Sequence, residues 1–199
     1  MIKNIVFDYG NVMVRFEPSY MVGKYVSDEK DSKLLEKVLF DRLYWDRLDD
    51  GTIEDEELLA LAKERIPERL WGASREIFYD WINNLPEVEG MKSLVLHVKN
   101  DLGMRVFLLS NISRYFAEHA HERAELAPFE KCIFSAVVGR MKPNRDMFEY
   151  LLSECHILPE ETRFIDDSEK NVKGAEACGI HGYLFDGDSE KLGKYIENL

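Results

Sequence analysis

The stretch that decides the fold is NIVFDYGNVMV, residues 4–14. Its first half is an unbroken apolar run, which is typical of a strand buried on both faces of a parallel sheet. The run ends at Asp8, and the chain then breaks at Gly10 and Asn11. A carboxylate at the end of a buried strand needs a cationic partner, a metal ion or a chemical role. Later segments of the chain must therefore supply the groups that meet Asp8.

Length and composition limit the classes of protein that need to be considered. The chain has 199 residues, of which 45% are hydrophobic and 32% charged, as in a globular protein with a sizeable core. Its formal net charge of −12 argues against electrostatic attraction to nucleic acid or to an anionic membrane. The three cysteines form no CxxC pair, so we expect no zinc site. Without an apparent leader or a membrane-length apolar run, we expect a cytoplasmic protein. We also expect it to be a monomer or a homodimer.

The region from Pro18 to Leu85 predicts helices throughout, with breaks at Gly51 and Pro67. Apolar residues recur at helical spacing in three segments, DSKLLEKVLF, EDEELLALAKERI and ASREIFYDWINNL. Because this insert directly follows the first strand, we expect it to cover the carboxyl end of that strand. The predicted organisation is a helical cap at residues 16–86 and a core built from residues 1–15 and 87–199.

After Pro86, strand patterns alternate with helix patterns. The predicted strands are MRVFLLSN, KCIFSAVVG, TRFIDDS and HGYLF. The predicted helices are MKSLVLHVKNDLG, SRYFAEHAHERAEL, RDMFEYLLSECHI, EKNVKGAEACG and SEKLGKYIENL. Alternation of this kind predicts an α/β fold, here a Rossmann-like parallel-sheet core that carries the helical cap.

Polar residues follow the apolar part of most of the predicted strands. They are Asp8, Ser110 with Asn111, Lys142 before Pro143, and Asp166 with Asp167. In open α/β sheets, ligands bind outside the carboxyl ends of the strands, so we expect these groups to form one site. Three carboxylates so close repel each other unless a cation joins them, and an all-oxygen set favours Mg²⁺. The lysine, hydroxyl and amide groups suit a tetrahedral anion such as phosphate, and a carboxylate beside the metal can attack phosphorus.

These segments resemble the four ordered motifs of the haloacid dehalogenase-like (HAD) hydrolase superfamily. The matching stretches are VFDYGNV, LLSN, KPNRDMF and FIDDSEKNV, and the insert matches the position of a C1-type cap. DYGNV is similar to the DLGNV subgroup, which includes sugar-phosphate phosphatases such as α-D-glucose-1-phosphate phosphatase. The resemblance implies a Mg²⁺-dependent phosphatase acting on a small phosphorylated metabolite.

The resemblance also implies a role for each site residue. Asp8 would be the nucleophile and a metal ligand, and the main-chain carbonyl of Gly10 would also bind the metal. Asp167 would be a direct or water-mediated ligand, supported by Asp166. The remaining three residues would serve the phosphoryl group, with Ser110 and Asn111 holding it and Lys142 balancing charge.

Gly10 departs from the family pattern, in which most phosphatases carry an aspartate two residues after the nucleophile as general acid and base. Its carbonyl survives the change, but the proton donor is lost. A cap carboxylate could substitute, from the stretch YWDRLDDG that contains Asp46, Asp49 and Asp50. Alternatively, the leaving group needs little protonation, or the protein binds phosphate esters and turns them over poorly. On pattern alone, the three cap carboxylates are interpreted as a solvated acidic turn.

The sequence also bears on the roles of four aromatic residues and of the histidines. Tyr44 and Trp45 line the substrate cavity or pack in the cap, and the sequence favours neither reading. Trp71 and Trp81 lie in helical patterns and are interpreted as packing residues. The five histidines lie away from the motifs, which argues against a histidine-based phosphatase.

Other functions remain as alternatives with identifiable features. A catalytically impaired binding or regulatory protein on the same scaffold is favoured by Gly10. A phosphomutase also needs an acid–base residue, which Gly10 makes harder to supply. A two-component receiver would carry its acidic pair at the first strand rather than near the end of the chain. A dinucleotide-binding enzyme is disfavoured because no G-x-G-x-x-G follows a strand.

Overall fold

The computed structural model describes residues 1–199 and has a five-stranded, all-parallel sheet at its centre. The strands stand in the order β3-β2-β1-β4-β5. Their bounds are β1 Asn4–Phe7, β2 Arg105–Ser110, β3 Lys131–Phe134, β4 Thr162–Asp166 and β5 His181–Leu184. Phe7 pairs with Leu108 on one side and with Ile165 on the other, so the carboxyl ends of three strands lie side by side.

Eleven helices surround the sheet. Five of them are inserted after β1: α1 Pro18–Gly23, α2 Glu29–Leu39, α3 Arg42–Asp49, α4 Asp55–Lys63 and α5 Trp71–Asp80. The others are α6 Met91–Asn100, α7 Arg114–His119, α8 Ser135–Val138, α9 Arg145–Cys155, α10 Glu169–Glu176 and α11 Ser189–Ile196. Short 3₁₀ turns occupy Glu68–Leu70, Trp81–Asn83, Ala120–Glu122, Ala124–Leu126 and Pro159–Glu161. No helix combines the length and apolar character needed to cross a membrane.

The central strand is buried on both faces, which confirms the α/β parallel-sheet prediction. Ile5 and Phe7 belong to a large apolar cluster that continues into the inserted helices. Val6 points to the opposite face and packs in a second cluster with Phe148 and Phe164. Side chains alternate across a strand, so a strand covered on both sides needs the continuous apolar run that the sequence shows.

The inserted helices join the core through two chain segments that are hydrogen-bonded to each other. Val14 and Glu87 form an antiparallel bridge. The Arg15 N–H donates to the Pro86 carbonyl over 2.7 Å, and the Val88 N–H donates to the carbonyl of residue 13 over 3.0 Å. The outgoing and returning chains therefore form a short two-stranded ribbon rather than two independent linkers.

Two sequence predictions of secondary structure were wrong in extent. The predicted strand KCIFSAVVG ends at Phe134, and its second half is helix α8, which Gly139 ends with a φ of 65°. The Val137-Val138 pair has high strand propensity, but the Ser135 side chain is committed to hydrogen bonds that turn the chain there.

The predicted helix SRYFAEHAHERAEL ends early, at His119. The His119 imidazole contacts the Tyr115 carbonyl, and the His121 imidazole contacts the Glu118 carbonyl. These are carbonyls of the last helical turn, so the side chains satisfy them in place of further backbone N–H groups. Two 3₁₀ turns then replace the rest of the predicted helix.

Candidate active site

Asp8 directly follows β1 and is buried beneath an open cavity. Its Oδ1 accepts a hydrogen bond from the Tyr9 N–H over 2.7 Å and lies 2.7 Å from Lys142 Nζ. No hydrogen bond is made to Oδ2. One oxygen is thus held by the protein, and the other is available to a ligand or a substrate.

Lys142 bridges two carboxylates and is 3% exposed. Its Nζ lies 2.7 Å from Asp8 Oδ1 and 2.7 Å from Asp166 Oδ2. Burial lowers the pKa of Lys142, but the two neighbouring carboxylates outweigh it and raise the pKa overall. Lys142 is therefore a permanent positive charge beside Asp8.

The Asn111 side chain fixes the main chain of Lys142. Its Oδ1 accepts from the Lys142 N–H and its Nδ2 donates to the Lys142 carbonyl, both over 2.9 Å. The sequence analysis predicts that this amide binds the phosphoryl group, whereas in the structure both of its polar atoms are hydrogen-bonded to the main chain of Lys142. Ser110, at the end of β2, is buried and lines the cavity.

Asp166 is wholly buried at the end of β4 and is saturated with hydrogen bonds. Oδ1 accepts from the Ser168 N–H over 2.8 Å, and Asn171 Nδ2 lies 3.0 Å from each oxygen. Lys142 occupies the remaining position on Oδ2. With every side of the carboxylate occupied, Asp166 is an anchor for Lys142.

Asp167 is exposed to the cavity and is oriented by Asn11. Asn11 Nδ2 donates to Asp167 Oδ2 over 3.1 Å, and Asn11 Oδ1 accepts from the Phe16 N–H over 3.1 Å. Burial raises the pKa of Asp167, and the hydrogen bond from Asn11 opposes that rise. Asn11 has a φ of 55°, a conformation that asparagine tolerates better than most residues.

The carboxylates fit a hard divalent cation. Oxygen atoms of Asp8, Asp166 and Asp167 lie within 4.8 Å of one another. The Gly10 carbonyl accepts no hydrogen bond, so it is also available as an oxygen ligand. Burial raises the pKa of Asp8 to about 8, an effect that Lys142 opposes and Asp166 reinforces. Because Asp166 is already saturated with hydrogen bonds, Asp8, Asp167 and the Gly10 carbonyl remain available as ligands. Mg²⁺ is commonly held by one or two carboxylates together with water and substrate oxygens.

A cavity of about 540 Å³ separates these strand ends from the inserted helices. Its apolar wall comes from the inserted segment and its flanks: Val14, Phe16, Trp45, Trp81 and Leu85. Its polar wall includes Arg42, Asp46 and Asp49 from α3, and Ser168, Lys170 and Asn171 from the region of α10. The cavity is large enough for a small phosphorylated molecule and is lined by both charged and aromatic groups.

The interpretation of the cap carboxylates as a solvated acidic turn was wrong for Asp49. Asp49 is 5% exposed and lines the cavity. Burial is the main cause that raises its pKa well above 3.8, and the charges of Asp46 and Asp8 add to the rise, whereas Arg42 opposes it. The sequence could not show the burial, because the last turn of α3 is covered by residues distant in the chain.

We expect Asp49→Asn to stabilise the protein at pH 7. A carboxyl whose pKa is raised on folding favours the folded state while it is protonated, so wild type loses that contribution as pH rises above about 4. Asparagine removes the cost of ionising a buried group. The expected gain is about 1 kcal/mol, the size common for single stabilising substitutions. Thermal unfolding at pH 4 and pH 7 measures it, with the partly exposed Asp50→Asn as control. A lower melting temperature for Asp49→Asn at pH 7 would contradict the expectation.

The structure divides the aromatic candidates. Trp45 is buried and lines the cavity, whereas Tyr44 does not line it. Trp81 packs as predicted and also reaches the cavity wall, with its ring 5.5 Å from that of Trp45. The packing prediction was wrong for Trp71, which is 40% exposed and donates its indole N–H to the Lys63 carbonyl. No histidine lines the cavity.

The sequence analysis missed two residues that organise the site, Asn11 and Asn171. Both asparagines orient an acidic residue of the pair 166–167. The signal for Asn171 was its position one helical turn beyond Asp167, at the start of a helix. The signal for Asn11 was an asparagine in the turn after β1, where a positive φ is common.

The family model for haloacid dehalogenase-like hydrolases matches residues 2–179. Together with the parallel sheet and the polar groups at its strand ends, this match establishes a hydrolase of α/β architecture. The chain belongs to the haloacid dehalogenase-like hydrolase family.

Characterised relatives are distant but align over most of the chain. D-ribitol-5-phosphate phosphatase of Bacteroides thetaiotaomicron is 25% identical over 200 residues, covering 92% of this chain and 91% of the relative. Sesquiterpene phosphatase AstK of Aspergillus oryzae is 25% identical over 184 residues, covering 90% and 88%.

Solved structures show the same architecture. A HAD-like family hydrolase from Porphyromonas gingivalis superposes with a TM-score of 0.69 and 27% identity, covering 100% of this chain and 98% of that one. A HAD family enzyme from Bacteroides thetaiotaomicron, solved with magnesium and inorganic phosphate, superposes with a TM-score of 0.70 and 23% identity, covering 96% and 99%.

Proposed function

We propose that this protein is a Mg²⁺-dependent phosphatase that hydrolyses a small phosphomonoester through an aspartyl-phosphate formed on Asp8. The observation that carries the proposal is the arrangement around Asp8. One of its oxygens is held by Tyr9 and Lys142, while the other is unbonded beneath the cavity. A nucleophile needs this combination of fixed orientation and a free electron pair.

Two further observations support phosphoryl transfer. The named relatives are phosphatases for a sugar-alcohol phosphate and for a sesquiterpene phosphate. A similar fold was solved with magnesium and inorganic phosphate. In this chain Asp8, Asp167 and the Gly10 carbonyl would hold the metal ion. Bound there, Mg²⁺ would screen the repulsion between Asp8 and the substrate phosphate and stabilise charge on the transferring group.

The other residues would then have distinct tasks. Lys142 offsets the negative charge around Asp8 and on the phosphate. Asp166 and Asn111 hold Lys142 from its two ends, one at Nζ and one at the main chain. Ser110 offers a hydroxyl to a phosphate oxygen.

The inserted segment, residues 16–86, would act as a cap that selects the alcohol part of the substrate. It supplies Phe16, Trp45 and Trp81 to the cavity wall. An aromatic face packs well on the C–H groups of a sugar or polyol, so we propose a sugar or sugar-alcohol phosphate as substrate. A panel of such phosphates, with apolar phosphates as comparison, tests this choice.

The missing carboxylate at Gly10 favours a second candidate, a scaffold that binds phosphate esters without efficient turnover. The two candidates differ in activity toward 4-nitrophenyl phosphate, whose leaving group needs little protonation. The phosphatase proposal predicts turnover of this ester, and the binding-protein alternative predicts none.

We expect hydrolysis of 4-nitrophenyl phosphate to require Mg²⁺ and to fall at least about tenfold in EDTA. Asp167→Asn should raise the Mg²⁺ concentration for half-maximal activity about 10- to 100-fold, by analogy with the effect of disturbing groups around a metal ion. Lys173→Met, which removes an exposed lysine that pairs with Glu169 and does not line the cavity, is the matched control and should leave that concentration unchanged. Equal activity with Mg²⁺ and with EDTA would contradict the metal assignment.

A further inference from the structure

None of the residues given a task so far protonates the leaving alcohol. We propose that Asp49, presented by the last turn of α3, is the general acid that protonates the leaving oxygen and the general base that then activates water. This inference rests on the proposed phosphatase function and concerns a different step from the attack by Asp8. An alkoxide is a poor leaving group, so an ester of a sugar or polyol needs such a donor.

Asp49 differs from its two acidic neighbours in having a carboxyl group without a partner. Asp46 also lines the cavity, but its Oδ1 lies 2.5 Å from the Arg42 guanidinium. Asp50 does not line the cavity, and its Oδ1 accepts from the Thr52 N–H over 2.8 Å. No ion pair or side-chain hydrogen bond involves the Asp49 carboxyl, although only 5% of the residue's surface is exposed. A buried carboxyl without a partner destabilises the folded protein, and such a group in a cavity wall is a candidate for a functional role.

The position of Asp49 is fixed from the core. The Ser135 hydroxyl donates to the main-chain carbonyl of Asp49 and accepts from the Ile112 N–H over 2.8 Å. Gly51 lies so close to α8 that a Cβ there would stand 2.9 Å from the Ala136 carbonyl oxygen. The end of α3 is thus held against the ends of β2 and β3. A general acid needs such restraint, because proton transfer requires hydrogen-bond geometry.

The protonation state of Asp49 suits an acid. Burial raises its pKa, and the charge of Asp8 in the same cavity raises it further. Raised carboxyl pKa values of this origin are a common device by which enzymes keep a proton available near neutral pH. Asp8, by contrast, lies 2.7 Å from the Lys142 ammonium group. Asp8 and Asp49 therefore differ in their partners, because Asp8 has a neighbouring cation and the Asp49 carboxyl forms no ion pair.

The proposed reaction balances in two steps. In the first, an Asp8 oxygen bonds to phosphorus, the bond from phosphorus to the ester oxygen breaks, and that oxygen takes its electron pair and the Asp49 proton to leave as the alcohol. In the second, water attacks phosphorus while the Asp49 carboxylate takes a proton from it. The bond from phosphorus to Asp8 then breaks, which releases inorganic phosphate and restores both carboxyls.

The test compares substrates that differ in their need for protonation. For Asp49→Asn we expect kcat/KM on an alkyl ester such as ribitol 5-phosphate to fall about 10²- to 10³-fold. Release of 4-nitrophenolate in the first turnover should fall less than tenfold, because this leaving group departs without a proton. Asp50→Asn is the matched control and should preserve both rates. Circular dichroism establishes that each variant is folded.

A second variant adds a gain of function. A Cβ at Gly10 would meet no atom within 4 Å, and Gly10 lines the cavity, so a side chain can begin there without a clash at its first atom. Gly10→Asp in the Asp49→Asn background should raise alkyl-ester hydrolysis at least tenfold more than it raises the first-turnover aryl rate. Selective rescue of the alkyl ester would identify proton transfer as the function lost with Asp49.

The outcomes separate the two proposals. If Asp49→Asn lowers the hydrolysis rates of both esters equally and Gly10→Asp restores neither rate, Asp49 is structural and the inference is overturned. Turnover of the aryl ester by wild type and by Asp49→Asn would still uphold the phosphatase function in that case. If wild type hydrolyses neither ester, the proposed function fails, and with it the inference.

Discussion

Asp8→Asn should lower kcat for 4-nitrophenyl phosphate by on the order of 10⁴- to 10⁶-fold, a loss in the range seen when a hydrolase loses its nucleophile. The amide cannot form an aspartyl-phosphate, and no other carboxylate has a free oxygen held in the same position. Asp166 is saturated with hydrogen bonds, and Asp167 is turned toward Asn11. The measurement is steady-state hydrolysis with saturating Mg²⁺.

The same substitution should leave the fold intact, which distinguishes loss of the nucleophile from unfolding. Asparagine is isosteric with aspartate, and Lys142 keeps its ion pair with Asp166. Because burial raises the pKa of Asp8, replacing it with a neutral group is expected to preserve or raise the melting temperature. Residual activity within tenfold of wild type in a homogeneous, undeamidated sample would contradict the nucleophile assignment.

Lys142→Met is expected to lower both stability and activity. Asp8 and Asp166 would be left as two buried carboxylates that share no cation, and breaking a buried ion pair on one side costs about 3–5 kcal/mol. Activity should fall about 10²- to 10³-fold, the range for loss of one electrostatic stabiliser. Chemical denaturation and steady-state kinetics at pH 7 measure the two effects.

The stability deficit of Lys142→Met should depend on pH and Mg²⁺. Protonation relieves carboxylate repulsion, so the deficit is expected to shrink as pH falls toward 4, and Mg²⁺ at pH 7 should recover part of it. Lys33→Met, which removes an exposed lysine paired with Glu29, is the control and should cost less than about 1 kcal/mol. A Lys142→Met deficit as small as that of the control would show that the buried ion-pair network is unimportant.

The sheet could be predicted from the sequence because each strand carries its own evidence. β1 and β2 are apolar runs that end in polar residues. Short runs of this kind are typical of strands that are covered on both faces of a parallel sheet. The extent of β3 could not be predicted, because Val137 and Val138 have high strand propensity although they lie in helix α8. Only the hydrogen bonds of Ser135 to distant segments show why the chain turns.

The candidate site was predictable as a set of residues but not as a network. The residues at the strand ends could be identified from their positions, since parallel strands bring their carboxyl ends together. What each side chain bonds to depends on atoms far apart in sequence. The bonding of Asn111 to Lys142 spans 31 residues, and the burial of Asp49 depends on contacts with Ser135, 86 residues away. Spacing along the chain carries no information on such pairs.

The hydrogen bond between Ser135 and the Asp49 carbonyl has a consequence for the order of events in a catalytic cycle. It joins the core to the inserted segment, whose two connections form one hydrogen-bonded ribbon. If the segment swings away on that ribbon to admit an ester, the proposed acid departs with it, while Asp8 and Lys142 stay behind. The ester would then be cleaved only after the inserted segment closes over it. A phosphate ester too large for closure could contact Asp8 and dissociate without being hydrolysed. The same closing movement would select substrates by size and bring the proton donor to the site.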